Sequence, residues 1–196
     1  MVHVSRRALL ARASVGAGAG VAALLGGATT AAGSPGEADL ANVRLVCSSK
    51  RLMIAWYTRW LDTPKALGAS TTRELLLRIR SAEQVHYRLL APLLGTTAPT
   101  DDDFTYTLPA GALRNPAIAA QFGIDLEELM LGIAIGAAST TTDASVAASI
   151  ARVVGSDGQH LGALSALHGD SAAPTALPAI IGVEDASEQL SHFLSS

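Results

Sequence analysis

The sequence predicts an all-α protein, a four-helix bundle with a long crossover connection and a short C-terminal helix. Three observations carry that expectation. Alanine supplies 37 of 196 residues and aromatics only 4%, so packing must rest on Ala, Leu, Ile and Val rather than on the alternating β-branched and aromatic residues of sheets. Apolar residues recur at spacings of three and four along several segments, which puts them on one face of a helix. The segments are bounded by Pro, Gly and hydroxyl or acidic residues of the kind that start and stop helices.

The elements follow in chain order. Residues 1–33 hold Arg6, Arg7 and Arg12 but no acid, then an apolar Gly- and Ala-rich stretch ending in small residues at Thr30-Ala31-Ala32-Gly33. That is the layout of a secretory signal peptide. Ser5-Arg6-Arg7-Ala8-Leu9-Leu10 resembles a twin-arginine signal, which implies the twin-arginine export machinery as a partner and an extracellular or cell-envelope location. The glycines of this stretch make it a poor transmembrane helix. Residues 34–196 then form the bundle domain, with no membrane-spanning helix expected in it. Asp39 to Leu61 is a first helix, stopped by Asp62-Thr63-Pro64. Thr71-Thr72-Arg73-Glu74 has the form of a capping box and opens a second helix running to about Pro92. Gly95 to Pro116 is a polar connection of crossover length that includes Asp101-Asp102-Asp103. A third helix is capped by Asp125 and runs to about Ala138; a fourth spans roughly Ala144 to Leu167, stopped by Gly169. Pro174 and Pro178 mark a loop before a short amphipathic helix near Glu184 to Leu194.

Charge narrows the function classes. The chain carries a net −3; three of its 14 basic residues and none of its 17 acidic ones fall in residues 1–33, so the remainder carries −6. Such a surface argues against nucleic acid, whose phosphates need a basic face. A lone cysteine, Cys47, excludes an internal disulfide framework and a Cys-rich metal cluster, and reads as a small buried hydrophobe. Trp56 and Trp60, four apart, read as a packing pair, and the Asp101–Asp103 run as a solvated loop.

The helix seams hold the informative residues. In the second helix Leu76, Ile79, Glu83, His86, Leu90 and Leu93 alternate by three and four; in the fourth, Ile150, Val153, Asp157, His160, Leu164 and Leu167 do the same, each 74 residues later. Both copies of an acid-x-x-His pair therefore face an apolar seam, and the hairpin reads as an internal repeat. A carboxylate and an imidazole buried among leucines are costly without a partner. The duplicated pair is a signature of ferritin-like carboxylate proteins that hold metal inside a bundle. On the first helix Val43, Val46, Lys50, Met53, Tyr57 and Leu61 form the buried stripe, while Arg51 falls with Arg44, Ser48 and Thr58 on a solvated face.

Several segments match a family pattern. Arg44-Leu45-Val46-Cys47-Ser48-Ser49 with Met53-Ile54-Ala55-Trp56-Tyr57-Thr58, then Ala82-Glu83-Gln84-Val85-His86, then Ile135-Gly136-Ala137-Ala138, resemble the first, second and third helices of bacterial exported ferritin-like domain proteins, over about residues 38–170. The resemblance implies an interior dinuclear metal site: one carboxylate each from the first and third helices, plus the two acid-x-x-His pairs. This chain departs from that pattern. The first-helix position, seven residues before Tyr57, is Lys50. The third-helix carboxylate is Glu127 by alignment on Ile135–Ala138, or Glu128 by the seam Ile124, Glu128, Leu131, Ile135; both stay open. The fourth-helix acid is Asp157, one methylene shorter than Glu. The candidate metal residues are thus Glu83, His86, Glu127, Glu128, Asp157 and His160, with Lys50 as a counter-ion and Tyr57 beside them. Three carboxylates and one lysine balance one divalent ion rather than two. Iron, manganese or zinc is the expected metal, unless Lys50 replaces the metal altogether and leaves a non-catalytic bundle that serves as a cell-envelope binding or structural module. Whether the chain forms a homo-oligomer is left open by the sequence.

Overall fold

The computed structural model describes residues 35–170 and 178–195; the leader expected over 1–33, and Pro174, lie outside them. Four helices of 25 residues each dominate: α1 (Glu37–Leu61), α3 (Ser70–Leu94), α4 (Pro116–Thr140) and α5 (Ala144–His168). A one-turn helix α2 (Pro64–Leu67) links α1 to α3, and α6 (Val183–Ser191) is the last helix among the described residues. Helix α1 packs against α3, α4 against α5, and α1 against α4; α3 and α5 approach each other less closely. The protein is an all-α bundle of two helical hairpins joined by the connection 95–115, as the seams predict.

Polar residues fix the ends. Asp143 caps α5, its carboxylate accepting from the backbone N–H of Ser145 and Val146. At the other end Gly169 is left-handed (φ +100°), and the N–H groups of Asp170 and Gly169 return to the carbonyls of Ser165 and Ala166, a Schellman closure. Asp39, buried in α1, accepts from the Thr142 N–H (2.8 Å), the Thr142 hydroxyl and the Asp143 N–H. It thereby ties the start of α1 to the tight α4–α5 loop.

Several boundaries differ from the expectation, each for a local reason. Helix α3 starts at Ser70 with Ala69 at its cap and no side-chain cap bond, so the Thr71–Glu74 box is unused. The α2 turn and Gly68 (φ +69°) redirect the chain earlier, and Thr72 is buried inside the first turn. Pro92 lies within α3, two residues from its end, where a missing N–H disturbs little beyond the last turn. Helix α4 begins nine residues before Asp125: Asn115 caps it by accepting from the Ile118 N–H at 2.9 Å, and Pro116 takes the first position. Asp125 is an exposed mid-helix residue accepting from Gln121. Gly123 lies inside the helix, at a close approach where a Cβ would press to 3.1 Å from the Trp60 ring and 3.3 Å from Leu164. Helix α6 ends at Ser191, and Leu194–Ser195 instead forms an antiparallel strand β2 with β1 (Thr105–Tyr106) in the crossover.

The crossover also covers more of α1 than its charge pattern suggests. Arg51 is half-buried rather than solvated: it lies 3.9 Å over the Tyr87 ring, donates to the Pro99 carbonyl and pairs with Asp101 at 3.2 Å. The three aspartates form a 3-10 turn capped through Thr100 and Asp103, and are exposed as expected. Cys47 is fully buried, and burial pushes its thiol up to about 12. Trp56 and Trp60 pack with ring centroids 5.4 Å apart.

Candidate metal centre

Each long helix sends a carboxylate or an ammonium into the centre: Lys50, Glu83, Glu127 and Asp157. The α1 stripe Val43, Val46, Lys50, Met53 and Tyr57 is wholly buried. Along α3, Leu76, Ile79, Glu83, His86 and Leu90 are buried as their spacing predicts, but the last seam position is Leu94, with Leu93 37% exposed. A straight helix has 3.6 residues per turn, so a 3.5-residue seam drifts off its face after several turns. On α5, Ile150, Val153, Asp157, His160 and Leu164 face inward. On α4 the structure separates the two acids: Glu127 is fully buried and Glu128 exposed, so Glu128 is not part of the centre. The seam points to Glu128 because α4 is apolar on most faces and its stripe selects poorly.

The two acid-x-x-His pairs cross. His160 of α5 places Nδ1 3.0 Å from Glu83 Oε1 of α3, and His86 of α3 places Nδ1 3.2 Å from Asp157 Oδ1 of α5. The imidazoles stack with centroids 5.7 Å apart. Lys50 Nζ lies between the acids, 2.5 Å from Asp157 Oδ2 and 3.0 Å from Glu83 Oε2. The Tyr57 hydroxyl donates to Glu127 Oε1. Donor atoms of Glu83, Glu127, Asp157 and His160 lie within 4.8 Å of one another; His86 stands beside this group, across Asp157.

The electrostatics follow from burial and from Lys50. Burial opposes ionisation of Glu83, but the Lys50 ammonium and hydrogen bonds with His160 and His86 outweigh it and hold the carboxyl well below its usual range. Glu127 is displaced the other way, well above its usual range. Burial is the main cause, the charges of Glu83 and Asp157 add to it, and Lys50 and Tyr57 only oppose it. Burial works against the Lys50 charge, yet Asp157, Glu83 and Glu127 raise its affinity for the proton. His86 also loses by burial but gains more from hydrogen bonds with Asp157 and Glu83, and moves up to about 9. Tyr57 is pushed upward by burial and by Glu127.

Glu83 Oε2 faces the Lys50 ammonium at 3.0 Å and Asp157 Oδ1 faces His86 Nδ1 at 3.2 Å, which leaves Glu127 Oε2 as the buried donor atom of this group without a partner. Buried orphans are uncommon in folded proteins, and oxygen and nitrogen donors converging in a dry interior are what a divalent transition metal requires. The donor set therefore has the chemistry of a metal site, with the Lys50 ammonium standing between two of its carboxylates.

Residues 29–170 match the family model described as ferritin-like domain. The chain belongs to the ferritin-like domain family. No curated protein matches it significantly. Among the described residues of this ferritin-like domain, no helix is long and apolar enough to cross a membrane. Every member of the buried polar group is a residue that the helix seams or the resemblance single out. The crossed pairing of the histidines is new, since it depends on the relative height of α3 and α5 rather than on either helix alone.

Proposed function

We propose that this is an exported ferritin-like protein that holds a single divalent ion, iron or manganese, among Glu83, Glu127, Asp157 and His160, with Lys50 supplying the positive charge of a second ion. The observation that carries this reading is the Lys50 ammonium set between Glu83 and Asp157 beside four converging donors. When bound, such an ion would supply a Lewis-acid and redox-capable centre. The chain's own residues prepare the site. Lys50 orients the Glu83 and Asp157 carboxylates, the Tyr57 hydroxyl holds Glu127 in one orientation, and His86 compensates Asp157 from the far side. The leucine, isoleucine and valine layers above and below exclude water.

A second reading has its own support. Lys50 and His86, both favouring the charged form, already oppose the charges of Glu83 and Asp157. A metal-free bundle with a stable polar core, acting as a cell-envelope binding or structural module, is consistent with that balance. Metal analysis of the protein purified from its exporting cells separates the two. The first reading expects about one equivalent of iron or manganese; less than about a tenth of an equivalent, unchanged after Fe(II) is supplied, selects the metal-free bundle.

Export rests on Arg6-Arg7 and the apolar, Gly-rich stretch behind them. An Arg6→Lys, Arg7→Lys double variant is expected to stay inside the cell while the parent chain leaves it, as cell fractionation would show. Equal export of both would remove the twin-arginine route from the account.

A further inference from the structure

A cleft of about 530 Å³ lies between the end of α1, the α2 turn and the last part of the crossover, and shares no residue with the acidic centre. Arg59, Lys65 and Arg114 line it, and no carboxylate does. None of the three forms an ion pair with an acid among the described residues. These cations come from three separate segments of a domain whose overall charge is negative. Like charges gathered on one wall repel one another, so a grouping of this kind gains from an anion between its members. Leu108, Pro109 and Leu113 give the wall its apolar part, and Thr63 adds a hydroxyl.

Local structure positions two of the cations. Two tight turns, Ala112 N–H to Pro109 O and Arg114 N–H to Gly111 O, fold the crossover back on itself. Gly111 sits at φ +86°, and a Cβ there would meet the Arg114 guanidinium at 3.1 Å. The glycine thus provides the turn and leaves room for the guanidinium to lie against the backbone. Arg59 donates to the Tyr106 carbonyl at 3.1 Å, which holds its guanidinium beside the crossover.

We propose that this cleft binds an organic phosphate, with a phosphomonoester group among Arg59, Lys65 and Arg114 and the apolar body against Leu108, Pro109 and Leu113. Guanidinium forks match phosphate oxygens. Three cations suit a dianion better than a single carboxylate. The volume falls in the range of small-molecule sites, roughly 300–1,000 Å³. The phosphate belongs either to a soluble metabolite-sized molecule or to an anionic lipid headgroup, and the two sources are separable.

The test is calorimetric titration of the full chain with phenyl phosphate and with inorganic phosphate, together with co-sedimentation on phosphatidylcholine vesicles containing phosphatidate. The comparison chains are an Arg114→Gln, Lys65→Gln double variant, a Lys65→Gln single variant in case the first folds poorly, and Arg78→Gln as an exposed cation outside the cleft. The parent is expected to bind phenyl phosphate or the vesicles, with affinity that falls as salt rises. Binding should weaken about tenfold in the double variant, measurably in Lys65→Gln, and not at all in Arg78→Gln. Phenyl phosphate binding without vesicle binding assigns a soluble ligand; vesicle binding assigns the headgroup. Failure of the parent to bind either probe, equal binding by the Lys65 and Arg114 variants, or inorganic phosphate binding as tightly as phenyl phosphate would overturn the proposal.

Discussion

Lys50 is the residue on which the interior turns. An ammonium removed from water costs several kcal/mol after relaxation, and a buried pair recovers that only with close, well-arranged partners. Here two carboxylates stand within 3.0 Å of its Nζ, and both helices that carry them also send a histidine into the group. His86 makes the balance measurable. Its folded-state value near 9 lies above the ordinary 6.5 because Asp157 and Glu83 favour the imidazolium more than burial opposes it. A group raised on folding stabilises fully below its unfolded value and loses that contribution as pH climbs through its folded value. The metal-stripped protein is therefore expected to lose unfolding free energy between pH ~6.5 and ~9, at most about 3 kcal/mol by linkage and about 2 kcal/mol once solvent screening at the partly open imidazole is allowed for. Urea unfolding across that range checks it, and a His86→Gln variant should show a flatter profile. A flat profile in the parent would mean that the crossed pair does not hold a proton.

Among the elements, α4 shows both the strength and the limit of reading a helix from its sequence. Its existence and its end near Ala138 are legible, but its start is not: Asp125 has the form of a cap, while Gly123 lies inside the helix. The glycine is required by the close approach of Trp60 and Leu164, a tertiary contact with no local signature. The choice between Glu127 and Glu128 fails for a related reason, since a helix with apolar residues on most faces has no single stripe to follow. Two further glycines of α4 receive the segment before α6. A Cβ on Gly136 would come within 2.0 Å of the Ile181 carbonyl oxygen, and one on Gly132 within 2.5 Å of the Ala179 oxygen. The Ile181 N–H also donates to the Gly132 carbonyl at 3.2 Å. Gly136→Ala is expected to destabilise by about 1–3 kcal/mol as this backbone is pushed off the helix. Gly155→Ala on α5, where nothing lies within 4 Å of the new methyl, should stabilise by up to about 1 kcal/mol. Thermal melts of the two variants check both signs; equal shifts would contradict the close seating of residues 179–182.

At the scale of the whole molecule, the fold was legible because its repeat is written twice. Leu76 to Leu90 and Ile150 to Leu164 carry the same spacing with an acid-x-x-His inserted at the same height, and a buried polar pair in a leucine seam needs a partner. The β1–β2 pairing and the basic cleft were not legible, because each joins segments far apart in sequence whose residues are ordinary surface types. The charge arithmetic of the centre joins the scales. On the proposed reading, Lys50 stands where the resemblance expects a carboxylate, and its ammonium occupies charge and space together between Glu83 and Asp157. The most direct test is the metal content of the full chain after anaerobic loading with Fe(II) and removal of unbound ion, compared with a Lys50→Glu variant. The account predicts about one iron per parent chain and about two per Lys50→Glu chain. Two irons in the parent, none in the parent, or no gain in the variant would contradict it.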